Sequence, residues 1–303
     1  MPTPIVTAVV LNWNNAADTI DCVESLRRVE YPGLRVLVVD NGSSDGSEAT
    51  LRSRFPAVPI LQTGDNLGFA GGNNAGIRRA LAEGSDRVLL LNNDTTVDPE
   101  FIHALVAVAD AHPGAGMLCP KILFHDRPDV LWYAGASFHP WLGWGRHRGY
   151  GQPDRGQLDR VEETPRPTGC ALLVTRALCE RVGLLREDFF CYAEDLEWGL
   201  RARDAGFSVL YVPGSRVWHK VSRSTGGERS VTPVRYLTRN LLACVDEHAP
   251  LPPGARQLRH GAILVAGALG VLTNRLPLVP GLAAVARGAA DWRRGRMGRL
   301  PSP

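Results

Sequence analysis

Short apolar runs alternate with helical patterns over residues 5–111, and this alternation limits the fold more than any other feature of the chain. The run Ile5–Leu11 is almost continuously apolar, as expected of a strand that is buried on both faces. Similar runs follow at Val36–Val39 and Val88–Leu91, each preceded by a helical pattern. Strands that alternate with helices predict an α/β fold, in which a mostly parallel central sheet carries helices on both faces.

Polar clusters come directly after these three strands, at Asn12–Asn15, Asp40–Asp45 and Asn92–Asp94. Ligands of open parallel sheets bind outside the carboxyl ends of the strands, so the clusters predict a binding site at this edge. Asp94 can hold a hard divalent cation, which would neutralise a diphosphate. Asp40 ends a buried strand, where a charge needs a partner, and its carboxylate can accept a hydrogen bond from a nucleobase or a ribose. Each cluster also fits an ordinary turn after a strand, and the residues alone leave this alternative open.

Two further segments are rich in glycine. Asn66–Gly76 contains four glycines in eleven residues, and we predict a loop here that leads into a helix ending at Ala82. Its spacing matches neither the dinucleotide-binding pattern G-x-G-x-x-G nor the phosphate-binding loop G-x-x-x-x-G-K-[ST]. Such a loop can still bring backbone amides close to a phosphate. Residues 139–167 are predicted as loops or as a short antiparallel excursion.

Two adjacent acidic residues, Glu194 and Asp195, begin a predicted helix that ends near Ala205. They follow the aromatic segment Phe189–Tyr192, and an apolar wall raises the proton affinity of a carboxylate toward that of a general base. Acidic residues are also favoured at any helix N-terminus by the helix dipole, so a structural role remains the alternative. His219 follows a later predicted strand and is either a structural histidine or a ligand.

The chain is predicted to divide into a catalytic domain at residues 1–249 and a tail at residues 250–303, joined by the Pro-rich linker Pro250–Gly254. The tail holds eight arginines and one acidic residue, and it shows two helical patterns separated by Pro277 and Pro280. Such a tail either packs on the catalytic domain as a helical hairpin or lies at an anionic membrane surface.

The composition is that of a folded globular protein, with 44% hydrophobic and 21% charged residues among 303, and it excludes disordered, collagen-like and coiled-coil chains. The longest apolar run, Gly261–Thr273, has 13 residues, whereas a spanning helix needs about 20. The N-terminus lacks the pattern of a signal peptide, and the six cysteines form no C-x-x-C pair. We therefore expect a cytoplasmic protein with free, buried thiols.

Seven short segments occur in a fixed order and cover about residues 5–226. They are VVLNWNN, VVDNGSSDGS, DNLGFAGGNNAG, LLLNNDTTVDPEF, TGCALLVTR, GLLREDFFCYAEDLEWGLRARDAGF and VWHKVSRSTG. Each segment is weak alone, but seven in order form a specific pattern. Together they resemble the inverting glycosyltransferases of family 2, with the bacterial rhamnosyltransferase-like group as the nearest branch.

This resemblance implies the nucleotide-diphospho-sugar transferase fold, called GT-A. It implies that a sugar, rhamnose in the nearest branch, moves from a nucleoside-diphosphate sugar to a hydroxyl of a glycan or lipid-linked acceptor in cell-envelope polysaccharide synthesis. The reaction would be a single in-line displacement that inverts the anomeric carbon and uses a divalent cation, Mg²⁺ or Mn²⁺. Such an enzyme is expected to work as a peripheral protein on the inner face of the cell membrane, with no nucleic acid partner.

The resemblance also implies roles for individual residues. Asp195 corresponds to the catalytic base, with Glu194 beside it, whereas Asp94 and His219 correspond to metal ligands. Trp13 corresponds to an aromatic residue that stacks on the nucleobase. The full set that corresponds to nucleotide-sugar contacts is Asn12, Trp13, Asp40, Asn73, Asn93 and Asp94. The family's D-x-D metal motif reads Asn-Asn-Asp here and ends at Asp94, so it has one carboxylate in place of two.

Two other functions were weighed against a glycosyltransferase. A sugar-1-phosphate nucleotidyltransferase shares the sheet and uses a similar cation, but it needs a Gly-rich loop with basic residues after the first strand. Asn12–Ala16 is not such a loop. A non-catalytic module that binds a sugar nucleotide would not need acidic residues at the catalytic positions, whereas Asp40, Asp94 and Asp195 are all present.

Overall fold

The computed structural model describes residues 3–221 and 230–300, and it shows an α/β fold built on one large mixed sheet. The strands are β1 (Val6–Asn12), β2 (Leu34–Asp40), β3 (Ile60–Gln62), β4 (Arg87–Asn92), β5 (Thr95–Val97), β6 (Ala115–Phe124), β7 (Leu131–Tyr133), β8 (Ala136–His139), β9 (Trp144–His147), β10 (Glu162–Glu163), β11 (Ala171–Thr175) and β12 (Ser208–His219). The helices are α1 (Ala16–Leu26), α2 (Ser47–Arg54), α3 (Gly68–Ala82), α4 (Phe101–Ala111), α5 (Arg176–Val182), α6 (Glu194–Asp204), α7 (Thr232–His248), α8 (Pro253–Thr273) and α9 (Leu278–Arg293).

The sheet runs in the order β10-β12-β6-β11-β4-β1-β2-β3. β1 pairs in parallel with both β2 and β4, β2 pairs in parallel with β3, and β6 pairs in parallel with β12. β11 runs antiparallel between β4 and β6, and the short strands β5, β7 and β10 also pair antiparallel with their neighbours. The predicted α/β fold with a mostly parallel central sheet is therefore confirmed.

Both faces of the central strand are covered. Ala8, Val9 and Val10 of β1 are each fully buried although successive side chains point to opposite faces of a sheet. Val9 faces α3, so the alternating residues Ala8 and Val10 pack under the layer on the other side. This explains why the strand is a continuous apolar run and not an alternating one.

The sequence analysis missed β6, a ten-residue strand whose residues are all buried. Its apolar pattern is interrupted by Pro120 and Lys121, and a lysine normally indicates a solvent-exposed position. Here the ammonium group of the fully buried Lys121 pairs with the carboxylates of Asp154 and Asp159. Burial of this charge is tolerated because the two carboxylates neutralise it. Both carboxylates come from a distant loop, so no local sequence pattern reveals the pairing.

The glycine-rich segment is helical where the sequence analysis predicted a loop through Gly76. α3 begins already at Gly68, and two of its glycines, Gly72 and Gly76, face β1. A Cβ on Gly72 would lie 2.5 Å from Cδ1 of Leu11, and one on Gly76 would lie 2.4 Å from Cγ1 of Val9. The glycines are thus needed for close packing of α3 on the sheet, which outweighs their low helix propensity.

Residues 139–167 were predicted as loops or a short antiparallel excursion. An antiparallel hairpin of β8 and β9 begins at Ala136, before this segment, and ends within it at His147. Its four pairs extend from Ala136 opposite His147 to His139 opposite Trp144. All six cysteines of the chain carry free thiols, and five of them are buried.

The C-terminal tail is helical, as predicted. α8 and α9 pack on each other, with the side chain of Val271 filling the space above Gly281. α9 also packs on α7, where Nε of Arg235 donates to Oδ2 of Asp291 at 2.7 Å. Within the described ranges, no helix combines the length and apolar character that crossing a bilayer requires. The division of the chain at residue 249 stays a prediction.

Replacing Gly76 with alanine is expected to lower the free energy of unfolding by about 1–3 kcal/mol, because the new Cβ would overlap the buried Val9. The matched control is Gly270→Ala in α8, where a Cβ would meet nothing within 4 Å. Through helix propensity alone, this control should stabilise by up to about 1 kcal/mol. Urea unfolding measures both changes, and similar values for the two variants would contradict the close packing of α3 on β1.

Candidate active site

A cavity of about 420 Å³ opens at the carboxyl ends of β1, β4 and β12, the edge at which the sequence predicts a binding site. Aromatic and aliphatic side chains form much of its wall, and polar side chains from the strand ends and from the start of α6 point into it. Its lining residues are Leu11, Trp13, Asn41, Asn66, Gly68, Phe69, Asn92, Asn93, Asp94, Trp132, Thr168, Gly169, Cys170, Phe190, Cys191, Tyr192, Glu194, Asp195, His219 and Val221.

The cavity brings together most of the residues that the sequence analysis selected. Trp13 lies at the rim and is 41% exposed, so part of its side chain is accessible to a ligand. Asp94, Glu194 and His219 are buried deeper in the wall. The selected residues that line the cavity are Trp13, Asn93, Asp94, Glu194, Asp195 and His219. The last of the seven sequence segments continues to residue 226, and its end lies outside the described residues.

Asn12, Asp40 and Asn73 do not line the cavity. The side-chain amide of Asn73 donates to a carbonyl group of its own helix. Asn12 donates to Asp40 at 2.7 Å and accepts from Thr19 at 2.7 Å, and Thr19 in turn accepts from Asn93 at 2.9 Å. This buried chain of hydrogen bonds connects the carboxyl ends of β1, β2 and β4 behind the cavity. Asn12 and Asp40 therefore fix the loop that follows β1.

Asp94 and His219 face each other in the cavity wall. Nε2 of His219 lies 3.2 Å from Oδ1 of Asp94, which is close enough for an ion pair. Oδ1 of Asp94 and Nδ1 of His219 are nevertheless buried without a well-aligned hydrogen-bond partner in the described part of the chain. Burial opposes a charge on the imidazole, but the neighbouring Cys170 and Asp94 outweigh it and raise the pKa of His219 to about 10.

This pair fits a hard divalent cation. Two ligand atoms that each lie about 2.1 Å from an octahedral cation, at right angles, are about 3.0 Å apart, close to the separation of the Asp94 and His219 atoms. A buried carboxylate oxygen without a partner is also the kind of group that a bound ion satisfies. Only the neutral imidazole can be a ligand, so cation binding would release the His219 proton.

A second group of ligand-type atoms lies away from the cavity, where α6 meets α7. Glu197, Glu247 and His248 have one such atom each within 4.8 Å of one another. However, Glu197 accepts two hydrogen bonds from Arg201, at 2.7 and 2.9 Å, and lies 3.3 Å from His248. Arg201 and His248 thus already neutralise the carboxylate of Glu197, so this group is an ion-pair cluster.

Glu194 and Asp195 begin α6 in different environments. Oδ2 of Asp195 accepts from the backbone N–H of Gly169 at 2.9 Å, and Oδ1 accepts from that of Leu196 at 2.7 Å. Glu194 is 5% exposed, and its Oε2 has no partner among the residues described. Burial, reinforced by the negative charge of Asp195, raises the pKa of Glu194 well above its ordinary value of 4.5. The pair thus combines a carboxylate held by two amides with a carboxylic acid that favours its neutral form.

The turn before α6 is strained. Phe190, Tyr192 and Ala193 have φ values of 64°, 70° and 67°, in the left-handed region that residues with a Cβ avoid. Each such residue costs about 1–2 kcal/mol in the absence of compensating contacts. Strained backbone next to two acidic side chains is typical of a functional site, where the surrounding structure holds a conformation that the turn would not adopt alone.

Two residues of α7 hold this turn in place. The side-chain amide of Asn240 donates to the carbonyl oxygens of Phe189, Cys191 and Tyr192 at 3.0, 3.0 and 2.7 Å. The guanidinium of Arg239 donates to the same Phe189 oxygen at 3.0 Å. Both side chains are fully buried. The sequence analysis missed them, although two adjacent polar residues within a helical apolar pattern are a usable signal, because buried polar groups need partners.

The sequence analysis also missed Trp132, which no local pattern distinguishes. Its ring is 4.7 Å from that of His219, in an edge-on arrangement, and it lines the cavity. Trp132 comes from β7, shortly before the β8–β9 hairpin.

The comparison with known families agrees with this geometry. A family model described as "Glycosyltransferase like family 2" matches residues 2–233. Since the match spans most of the chain, the protein belongs to this family and is a glycosyltransferase. The resemblance indicated by the seven segments is confirmed, and the nucleotidyltransferase and non-catalytic alternatives find no support.

Individual relatives extend the comparison. The chain is 29% identical over 267 residues to an N-acetylglucosaminyl-diphospho-decaprenol L-rhamnosyltransferase of Mycobacterium tuberculosis, covering 82% of this chain and 86% of the relative. It is 24% identical over 287 residues to a dTDP-rhamnosyl transferase of Shigella flexneri, covering 86% and 88%. Among solved structures, a mannosyltransferase from Pyrobaculum calidifontis in complex with GDP-Man and Mn²⁺ superposes with a TM-score of 0.63 at 18% identity, covering 97% and 88%. The GT-A fold is therefore shown.

Replacing Glu194 with glutamine is expected to stabilise the protein by an amount that grows with pH. The folded native protein binds the Glu194 proton more tightly than the unfolded chain does, so its free energy of unfolding falls as the pH rises above 4.5, the ordinary pKa of glutamate. Glutamine does not titrate, so the variant lacks this fall in the free energy of unfolding, which for one group is at most about 1.4 kcal/mol per pH unit. Thermal unfolding between about pH 5 and pH 8 measures it.

The control for this experiment is Glu30→Gln, because Glu30 is exposed and forms no ion pair with any described residue. Its effect on stability should be small, because the side chain is exposed. If Glu194→Gln gave the same stability difference at both ends of the pH range, the neutral form of Glu194 would be refuted.

Proposed function

We propose that the protein transfers rhamnose from a nucleoside-diphosphate sugar to a hydroxyl of a lipid-linked glycan in cell-envelope polysaccharide synthesis, with inversion at the anomeric carbon. The proposal rests on one cavity whose wall contains both pairs of residues that the reaction needs. Asp94 and His219 are suited to bind a cation, and Glu194 and Asp195 are adjacent acidic residues. The names of two relatives support rhamnose as the transferred sugar, and the name of one of them supports a lipid-linked acceptor.

In this proposal Asp195 is the catalytic base. Its carboxylate accepts the proton of the acceptor hydroxyl while that oxygen forms a bond to the anomeric carbon. On the opposite side of the carbon, the bond to the diphosphate oxygen breaks, and the leaving nucleoside diphosphate takes the electron pair. The amides of Gly169 and Leu196 already hold the carboxylate, so little reorientation is needed before the proton moves.

Asp94 and His219 are proposed to hold the divalent cation near the diphosphate. When bound, the cation supplies positive charge that stabilises the departing diphosphate. His219 contributes positive charge near the diphosphate even before the cation is bound, because its ring is then protonated. Once the proton is lost, the neutral ring can be a cation ligand. Trp132 packs edge-on against the imidazole and fixes its orientation.

The nucleoside is proposed to bind at the rim formed by the end of β1. The exposed part of Trp13 would stack on the base. Asn93 lines the cavity at the end of β4, within reach of the sugar nucleotide. Asn12, Asp40 and Asn73 are assigned positioning roles, because their side chains bond within the protein and hold the surrounding loops and α3.

Glu194 is proposed to contact the transferred sugar. A neutral carboxylic acid can donate a hydrogen bond, which an ionised carboxylate cannot, and Oε2 of Glu194 has no protein partner in the described ranges. A sugar hydroxyl placed in the cavity would satisfy this atom. Neutral Glu194 also leaves Asp195 as the one group of the pair that is suited to accept a proton.

Replacing Asp195 with asparagine is expected to lower the rate of sugar transfer by about 10²- to 10⁴-fold, the usual contribution of a positioned general base. Donor affinity should change little, since asparagine keeps the shape of the side chain and one acceptor oxygen. The measurements are turnover of dTDP-rhamnose with a prenyl-diphosphate-linked acceptor and donor binding by calorimetry. Glu194→Gln is the companion variant. If it abolished turnover while Asp195→Asn did not, the roles within the pair would be reversed.

Replacing Asp94 with alanine is expected to abolish the strengthening of donor binding by Mn²⁺ or Mg²⁺. In the native protein, chelator should weaken donor binding, and the effect of the cation should diminish as the pH falls, because His219 must lose its proton to become a ligand. Calorimetric titration with and without cation measures this effect.

Glu247→Gln is the matched control, since it removes a carboxylate from the other ligand-type group, between α6 and α7. It should leave the cation effect intact. If Glu247→Gln rather than Asp94→Ala removed the effect, the cation site would lie in that group and not in the cavity.

A further inference from the structure

Helices α8 and α9 present an apolar surface that no described residue covers. Its side chains are at least 41% exposed, and Val279, at 77%, and Leu258, at 70%, are the most exposed of them. We call these residues the α8–α9 surface: Leu258, Val265, Leu269, Leu272, Leu278, Val279 and Leu282. Single exposed apolar residues are ordinary, but a contiguous set indicates an interaction site.

The spacing within α8 and the direction of α9 show how these residues are arranged. Leu258, Val265, Leu269 and Leu272 follow one another at spacings of seven, four and three residues, which places them on one face of α8. α9 runs antiparallel to α8, since Val271 contacts Gly281 and, one turn further, Val285 contacts Gly267. The apolar residues at the end of α8 and at the start of α9 therefore lie at the same end of the helix pair, next to the turn between the helices.

The charges around the α8–α9 surface are of one sign. The only acidic residue between 251 and 300 is Asp291, which is buried and paired with Arg235. Arg275 lies in the turn between the helices, and Arg293 and Arg294 lie at the end of α9. All three are exposed and form no ion pair within the described ranges. A partner for this surface must therefore be apolar and carry negative charge.

We infer that the α8–α9 surface docks on an anionic lipid bilayer. Apolar side chains on a helix pair enter the boundary between headgroups and acyl chains, while arginines contact the lipid phosphates. A second copy of this chain fits less well, because a two-fold axis through the surface would bring the same unpaired arginines of both copies together. The inference goes beyond the proposed function, since lipid binding does not require sugar transfer.

The tip of the β8–β9 hairpin carries two further exposed apolar residues and contacts α8. Trp141 and Leu142 are 51% and 41% exposed, and the next residue, Gly143, lies against Ile263 of α8. Tryptophan is frequent where a protein meets the membrane interface. The same segment of chain begins at Trp132, which lines the cavity. Docking would thus hold the cavity close to the bilayer in which a lipid-linked acceptor resides.

The test is co-sedimentation of the full-length protein with vesicles of phosphatidylcholine alone or mixed with phosphatidylglycerol. The protein should bind the anionic vesicles at low salt and be released by salt, as expected for exposed charges. Leu269→Glu combined with Val279→Glu should lower binding at least about tenfold, and so should Arg275→Glu combined with Arg294→Glu. All four positions are exposed, so thermal unfolding should remain native-like.

Matched controls change the same residue types elsewhere on the surface. Val161→Glu and the pair Arg27→Glu, Arg28→Glu replace exposed residues outside the tail and should leave vesicle binding unchanged. Equal binding by native protein and the Leu269, Val279 variant would overturn the inference. It would also be overturned if the native protein ignored vesicles and formed a dimer, by light scattering, that this variant dissociated.

Turnover of the donor with a short soluble acceptor is measured in parallel, so that the two proposals can fail separately. Vesicle binding without any turnover would contradict the proposed function and support the docking surface. Turnover without vesicle binding would overturn the docking surface and leave the proposed function in place.

Discussion

The left-handed backbone of residues 190–193 is the constraint on which the candidate active site depends. Three residues of this turn carry a Cβ and have positive φ, so the turn would relax if it were not held. Asn240 and Arg239 hold it by donating to carbonyl groups that no helix or strand satisfies. A relaxed turn would shift the first residues of α6, and these are Glu194 and Asp195.

The same turn is supported from the opposite side by α3. A Cβ on Gly68, which has a φ of 73°, would lie 2.4 Å from the carbonyl oxygen of Phe190, and the backbone N–H of Ala70 donates to that oxygen at 3.1 Å. α3 can reach this position because Gly76 lets it lie directly on Val9 of the sheet. The glycines that look like a loop in the sequence therefore set the distance between the sheet and the turn before α6.

Much of the fold and part of the candidate site could be predicted from the sequence, because strand and helix periods and the residues at strand ends are local features. The predictions that failed concern residues whose partners are distant in sequence. β6 was missed because Lys121 is neutralised by Asp154 and Asp159, 33 and 38 residues away. The importance of Asn240 was missed because it acts on carbonyl groups about fifty residues earlier. Asp40 was expected to need a partner, and within the protein its carboxylate accepts from Asn12, Ser43 and Gln62. Its contact with a nucleobase or a ribose stays a prediction.

α7 connects the candidate active site to the helical tail. The guanidinium of Arg239 donates to the carbonyl oxygen of Phe189, in the turn before α6, and also to that of Gly298, beyond α9. One turn earlier in α7, Arg235 pairs with the buried Asp291 of α9. The tail and the turn thus share hydrogen bonds to one helix, so a change in the packing of α9 would alter the hydrogen bonds that hold the turn before Asp195. A bilayer bound to the α8–α9 surface would accordingly have a defined orientation relative to the cavity, because the contact is transmitted through buried, hydrogen-bonded side chains.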